Sequence, residues 1–120
     1  FSLGCGRIFE GTFEQMFNSL KLIKSFPKNT KIFCGHEYTL NNHKFCAKYD
    51  KKNHFLKEKL QLIEFRLNKN LPTIPTTLEE ELNTNIFLRY DNEDLKSDLG
   101  LKDASDLETF KKLRELKDAF

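Results

Sequence analysis

The sequence has no tryptophan, one methionine, three prolines and five glycines in 120 residues. No apolar run exceeds three residues, as in Ile32-Phe33-Cys34, which excludes a membrane-spanning helix and a signal-peptide core. The three cysteines, Cys5, Cys34 and Cys46, are odd in number and lack C-x-x-C spacing. Neither a disulfide framework nor a zinc knuckle is therefore expected, but three reduced, mostly buried thiols in a cytoplasmic protein. No H-x-H or H-E-x-x-H pattern occurs either. A strong charge of one sign is also missing: the net value of +2 does not argue for nucleic acid.

Apolar residues make up 38% and charged residues 32%, the balance of a globular chain. With 12 phenylalanines and no tryptophan, aromatic packing must rest largely on Phe. Charge is unevenly spread. Residues 1–77 carry 13 basic and 6 acidic side chains, residues 78–120 carry 7 and 12. Within the acidic part, Lys111, Lys112, Arg114 and Lys117 form a basic cluster that suits a small anionic partner or a helix C-terminus.

Phe1-Ser2-Leu3 reads as a strand end running into the turn Gly4-Cys5-Gly6. Thr12 and Gln15 form a capping box for a helix over Phe13–Lys24, whose apolar face is Phe13, Met16, Phe17, Leu20 and Ile23. Pro27 ends it. Lys31–Cys34 is then expected to be a short buried strand, broken by Gly35. Asn41–Tyr49 reads as a short helix, and Asn53 can cap a longer one over Asn53–Leu67, with Leu56, Leu60, Ile63 and Leu67 as its stripe. Pro72 and Pro75 make residues 68–77 an extended loop. Thr77 with Glu80 opens a short helix, residues 89–104 read as polar and irregular, and Ser105 with Glu108 starts a helix over Asp106–Lys117. Two short strands make no stable sheet, so sheet partners are expected upstream of Phe1. No strand is expected in the last 60 residues.

His36 is the sharpest chemical candidate, because it follows a buried strand and a glycine at the carboxyl edge where α/β sheets bind ligands. It is either a metal ligand or a strand-end cap, and one histidine does not hold a zinc ion, which needs three or four protein ligands. His43 and His54 read as helix-surface residues. Arg7 on the glycine turn could meet an anion, Tyr38 adds a phenol beside His36, and Arg114 and Lys117 are three apart on one helix. Cys5 has no histidine near it in sequence.

Together these features resemble a known family. Gly4-Cys5-Gly6-Arg7-Ile8-Phe9-Glu10-Gly11-Thr12 is similar to the G-C-G-[KR]-x-[FY]-E-G-T segment of hydroxyacylglutathione hydrolases, the glyoxalase II enzymes. Cys34-Gly35-His36-Glu37-Tyr38-Thr39 resembles their C-G-H-E-Y-T, and Asn41-Asn42-His43-Lys44-Phe45 their N-N-x-K-F. The stretch from Pro72 to Glu81 is similar to P-T-x-P-S-T-L-x-E-E, and Asn85-Ile86-Phe87-Leu88-Arg89 to N-P-F-[LM]-R. The close, Arg114 to Phe120, resembles R-x-x-K-D-x-F.

The resemblance implies an α+β, mostly helical chain: the C-terminal edge of a metallo-β-lactamase αββα sandwich over residues 1–38, then an all-α glutathione-binding domain over residues 39–120. It implies hydrolysis of S-2-hydroxyacylglutathione thioesters, such as S-lactoylglutathione, by a two-metal centre of zinc (or Zn/Fe/Mn) in methylglyoxal detoxification. It assigns His36 to the metal, and Arg7, Phe9, Tyr38, Arg114 and Lys117 to the substrate. Phe9 stands where some relatives have Tyr, so a hydroxyl contact is lost there. Glu37 receives no role. The T-H-x-H-x-D-H motif and a bridging aspartate would lie upstream, so the chain is expected to be a fragment, inactive alone and supplying one ligand. The competing expectation is a non-catalytic remnant, at best a glutathione-binding module; a persulfide-acting relative fits less well, because that group generally lacks the helical extension. The expected partner is acyl-glutathione, with no nucleic acid and no membrane, in a cytoplasmic protein that is monomeric when complete.

Overall fold

The computed structural model describes residues 1–120, and more than half of them are helical. The chain runs through α1 (Phe13–Lys24), β1 (Lys31–Ile32), α2 (Thr39–Tyr49), α3 (Phe55–Asn68), β2 (Thr76–Thr77) and α4 (Leu78–Thr84). A single 3₁₀ turn (Ile86–Leu88), α5 (Glu93–Asp98) and α6 (Asp106–Asp118) follow. None of the helices is long and apolar enough to cross a membrane.

Capping chemistry sets the helix starts. At α1 the box is complete: Thr12 Oγ1 accepts from Gln15 N at 3.1 Å, and Gln15 Oε1 accepts from Thr12 N at 2.9 Å. Gly11, at φ +81°, lets the box close, since a Cβ there would collide with Gln15 Oε1. Thr77 and Ser105 cap α4 and α6 by accepting from Glu80 N and Glu108 N, but neither glutamate returns to the cap backbone. Asn53 Oδ1 accepts from Phe55 N at 3.1 Å, so α3 begins two residues later than the sequence pattern suggests.

The core is a phenylalanine cluster. Phe45 stacks on Phe87 with centroids 5.8 Å apart, Phe87 meets Phe110 edge-on at 6.4 Å, and Phe17 joins Phe110 at 5.9 Å. Leu3, Phe17 and Leu20 are buried in the same cluster as Leu56, Ile63, Leu78, Ile86, Leu95 and Leu113. A single core thus spans the first forty residues and the helices after them. On α3 the buried positions are Leu56, Lys59 and Ile63, while Leu67 is exposed. Lys59 lies off the apolar stripe, yet its stem packs inward and its ammonium reaches Glu80 at 3.4 Å. Burial works to raise the Glu80 pKa, yet the Lys59 charge and the Thr76 hydroxyl outweigh it and leave it lowered.

Four expectations need correction. The strand is Lys31–Ile32 rather than Lys31–Cys34, and Phe33 is 75% exposed. Lys31 pairs with Thr77 and Ile32 with Thr76, so the next partner in this antiparallel register is Pro75, which has no N–H to give. Second, that ladder places a two-residue strand among the last 60 residues, where none was expected. Third, residues 89–104 are not all irregular: Asn92 caps α5 by accepting from Leu95 N. Fourth, Phe1-Ser2-Leu3 is not a strand end, because Ser2 and Leu3 have φ of +57° and +65°.

Those left-handed residues open a segment held by side chains instead of a sheet. Glu81, fully buried on α4, accepts from Leu3 N with both oxygens, at 3.1 and 3.2 Å. Asn42 donates to Ser2 O at 3.2 Å, Cys46 to Leu3 O at 3.3 Å and Asn85 to Gly4 O at 2.8 Å. Gly4 is needed for this approach, as a Cβ there would lie 2.6 Å from Asn42 Nδ2. Burial pushes the Glu81 carboxyl pKa up despite the Leu3 N–H. A carboxyl raised in this way favours the fold most below its unfolded pKa, and the contribution is lost as pH rises through the folded value. Glu81→Ala strands the Leu3 N–H and is expected to destabilise the chain by about 2 kcal/mol in urea unfolding at pH 7. Glu81→Gln keeps one acceptor without the buried charge, so its stability relative to the parent should improve between pH 4 and pH 7.

Candidate functional site

A cavity of about 820 Å³ opens where the 1–9 segment, the loop before α2 and the end of α6 meet. Arg7, Phe9, His36, Tyr38, Arg114 and Lys117 all line it, so the structure brings together the six residues that the resemblance assigned to metal or substrate, while Lys111, Lys112, His43 and His54 lie outside the lining. Cys5, Cys34, Asn41 and Asn42 complete much of the wall. The two asparagines were visible in the N-N-x-K-F stretch, although nothing in their type announced a cavity.

Each residue arrives by a different route. Phe9 is 87% exposed at the rim. His36 and Tyr38 sit on the loop between β1 and α2, their rings edge-to-face with centroids 5.1 Å apart. The guanidinium of Arg7 lies 3.9 Å from Asp118 and is mostly exposed. Lys117 stands between the Phe45 and Phe120 rings, 5.9 and 5.6 Å from their centroids.

Arg114 occupies a different position from that of a free cation. Its side chain is 2% exposed, and its Cζ sits over Phe87, 5.2 Å from the ring centre. Nη1 donates to Cys5 O at 2.7 Å and Gly6 O at 3.2 Å, while Nε and Nη2 both reach Asp118 Oδ1, at 3.2 and 2.9 Å. It completes the clamp on the 2–6 segment and leaves few donors for anything else.

Electrostatically the cavity has an excess of positive charge. Three cations, Arg7, Arg114 and Lys117, line it, and Asp118 pairs with the first two only. Lys117 has its pKa lowered, first by burial and then by repulsion from Arg114 and Arg7. Like charges held close favour an incoming anion. Burial raises the Cys5 and Cys34 thiol pKa values, with Arg114 opposing the rise at Cys5, so neither is an activated nucleophile. Cys46, fully buried, is pushed up to about 12.

Metal binding is more restricted. His36 is the one imidazole on the cavity wall, and no group of three His, Cys, Asp or Glu in the chain is arranged to hold an ion. The residues present do not by themselves fit a catalytic metal, which needs three or four ligands. His43 is buried, contrary to its surface assignment, with Nε2 2.7 Å from Leu56 O, and it links α2 to α3. His54 rests on Phe55 at 4.2 Å, away from the cavity.

Residues 37–120 match the family described as the C-terminus of hydroxyacylglutathione hydrolase. The chain belongs to the hydroxyacylglutathione hydrolase family. Curated relatives with that name are 55% identical in Pelagibacter ubique, 46% in a Chelativorans species and 41% in Methylococcus capsulatus. All of this chain aligns in each case, with 44%, 47% and 47% of the relative. The chain therefore spans just under half the length of the curated family members it matches. A strand in the last 60 residues was expected to count against this family, and the two-residue Thr76–Thr77 ladder corrects that expectation, since the family is shown by similarity over the whole chain.

The clamp gives Arg114 a testable structural role. Arg114→Ala uncovers two carbonyls and the Asp118 carboxylate, and is expected to cost about 3 kcal/mol in chemical denaturation. Lys117→Ala, with no such partners, should cost under about 1 kcal/mol.

Proposed function

We propose that this chain supplies the glutathione-binding part of a hydroxyacylglutathione hydrolase, which cleaves S-2-hydroxyacylglutathione thioesters such as S-lactoylglutathione. The observation that carries the reading is the cavity lined by Arg7, Arg114 and Lys117, of which only Arg7 and Arg114 pair with a carboxylate, that of Asp118. Glutathione carries two carboxylates, and a site with surplus cations and a Lys117 whose charge is disfavoured by burial and then by Arg114 and Arg7 gains by receiving them. Arg7 and Lys117 are the cations free to meet the ligand, and Arg114 acts chiefly by holding the Cys5-Gly6 turn that carries Arg7. Tyr38, 64% exposed, offers a phenol, and Phe9 an apolar rim for an acyl or peptide methylene surface.

Residues 1–38 are read as the closing edge of a metallo-β-lactamase-type sandwich and residues 39–120 as the helical binding domain. His36 is assigned as one ligand of a two-metal centre whose other ligands this chain does not carry. The residues described here hold and orient the substrate; no hydrolytic step is assigned to them. The competing reading, a glutathione-binding module without catalysis, uses the same cavity and differs only in whether a ligand-bearing segment completes it.

Binding and chemistry are tested separately. S-hexylglutathione, a thioether that cannot be hydrolysed, should bind the chain in calorimetry. Lys117→Ala should raise its Kd about tenfold, as expected for loss of a charge-assisted contact, while Lys111→Ala, whose ammonium lies over the Phe13 ring and outside the cavity lining, should not. Because the Lys117 pKa is lowered, affinity should begin to fall at a pH below that at which an ordinary lysine titrates. No saturable binding would overturn the reading. In the second test, the chain given excess zinc is expected to bind it weakly and to show no thioester turnover; stoichiometric zinc with turnover lost in His36→Ala would refute the single-ligand assignment.

A further inference from the structure

We propose that Glu37 is the positioning residue of the cavity, fixing the loop that carries His36 and Tyr38 through a one-way chain of hydroxyl hydrogen bonds to Thr73, Thr39 and Ser2. The inference rests on the proposed function only for what the loop does with a ligand. Its structural part stands alone.

Glu37 lies between two residues that line the cavity, but is not itself on the wall. Its carboxylate is engaged by the loop after α3. Oε1 accepts from Thr73 N at 2.8 Å and Oε2 from Thr73 Oγ1 at 2.6 Å, so one residue fixes both oxygens. Thr73 Oγ1 is 2.6 Å from Thr39 Oγ1, which is 2.6 Å from Ser2 Oγ. Thr73, Thr39 and Ser2 are 6%, 1% and 1% exposed.

Proton counting sets the direction. A carboxylate only accepts, and each hydroxyl has one hydrogen. Thr73 gives its hydrogen to Glu37, so Thr39 must donate to Thr73 and Ser2 to Thr39. Every donor in this buried row is satisfied, and the row ends on a charge, which polarises all three bonds the same way. It joins four segments: Ser2 in the clamped 2–6 stretch, Glu37 in the cavity loop, Thr39 at the start of α2, and Thr73 before β2. The loop between β1 and α2 has no regular structure to hold it, and Glu37 supplies its side-chain anchor. The same four residues that fix His36 and Tyr38 therefore also tie them to the segment bearing Arg7.

The test uses the full chain and three variants. Thr73→Val deletes the central hydroxyl with little change of shape. Glu37→Gln places an amide donor against Thr73 Oγ1, reversing the row and leaving the Ser2 hydrogen without an acceptor. Thr73→Ser preserves every bond. The readout is the nuclear Overhauser contact between the His36 and Tyr38 rings without ligand, together with Kd for S-hexylglutathione. Thr73→Val and Glu37→Gln should lose the ring contact while the Phe87–Phe110 contact persists, which separates a moved loop from unfolding. Thr73→Ser should keep both. If the fraction of chains with the loop in place falls to about a tenth, Kd rises about tenfold. An unchanged His36–Tyr38 contact in both Thr73→Val and Glu37→Gln would overturn the proposal. Failure of the unmodified chain to bind S-hexylglutathione would overturn the proposed function instead, and the ring contact would still decide the role of Glu37.

Discussion

The structure depends on how the backbone of residues 2–6 is satisfied away from water. This stretch joins no sheet, and an unpaired buried carbonyl or amide costs on the order of a lost hydrogen bond each. Side chains from four later segments fill the gap: Asn42 and Cys46 from α2, Glu81 from α4, Asn85 before the 3₁₀ turn, and Arg114 from α6. Each of these polar groups is buried because a backbone partner awaits it, and no buried side-chain nitrogen or oxygen lacks a partner anywhere in the chain. Leu3 enters the core as part of the same arrangement, and Ser2 and Leu3 adopt left-handed backbone to make it possible.

The cavity follows from this clamp. Once Arg114 holds Cys5 and Gly6, the turn must present Arg7 toward the end of α6, where Asp118 and Lys117 already stand. The charge excess is then a by-product of fold closure: a buried guanidinium used structurally brings a second and third cation beside it. Burial lowers the Lys117 pKa, and the neighbouring Arg114 and Arg7 charges lower it further.

Much of this was legible in the sequence, for identifiable reasons. Local chemistry gave α1 and the start of α6 well, because capping pairs and a 3.6-residue apolar stripe act within a few residues. The cavity residues were named through ordered motifs, which carry information that no single side chain does. What escaped was long-range satisfaction of polar groups. Arg114 read as a substrate-binding cation, and its structural role stayed hidden because its partners Cys5 and Gly6 lie more than a hundred positions away. His43 read as a surface residue since the Leu56 carbonyl cannot be predicted as its neighbour from periodicity, and the inward turn of Lys59 toward Glu80 is hidden for the same reason. The strand was overextended for a related reason, as its end is set by Pro75 on a partner the pattern did not supply.

The bond from Arg114 to Cys5 spans 109 positions of sequence. Closing a loop of that size is slow, and its entropic cost grows with length only logarithmically, so it weighs on folding rate more than on final stability. The helices can form from local contacts, but α1 packs on α6 through Phe17 and Phe110, so that long-range docking brings the two cavity walls together as well. With Arg7 following the clamped turn and Lys117 on α6, the cavity is complete only once the Cys5–Arg114 contact is made. A ligand spanning Arg7 and Lys117 would act as a cross-link between them, coupling occupancy to completion of the fold.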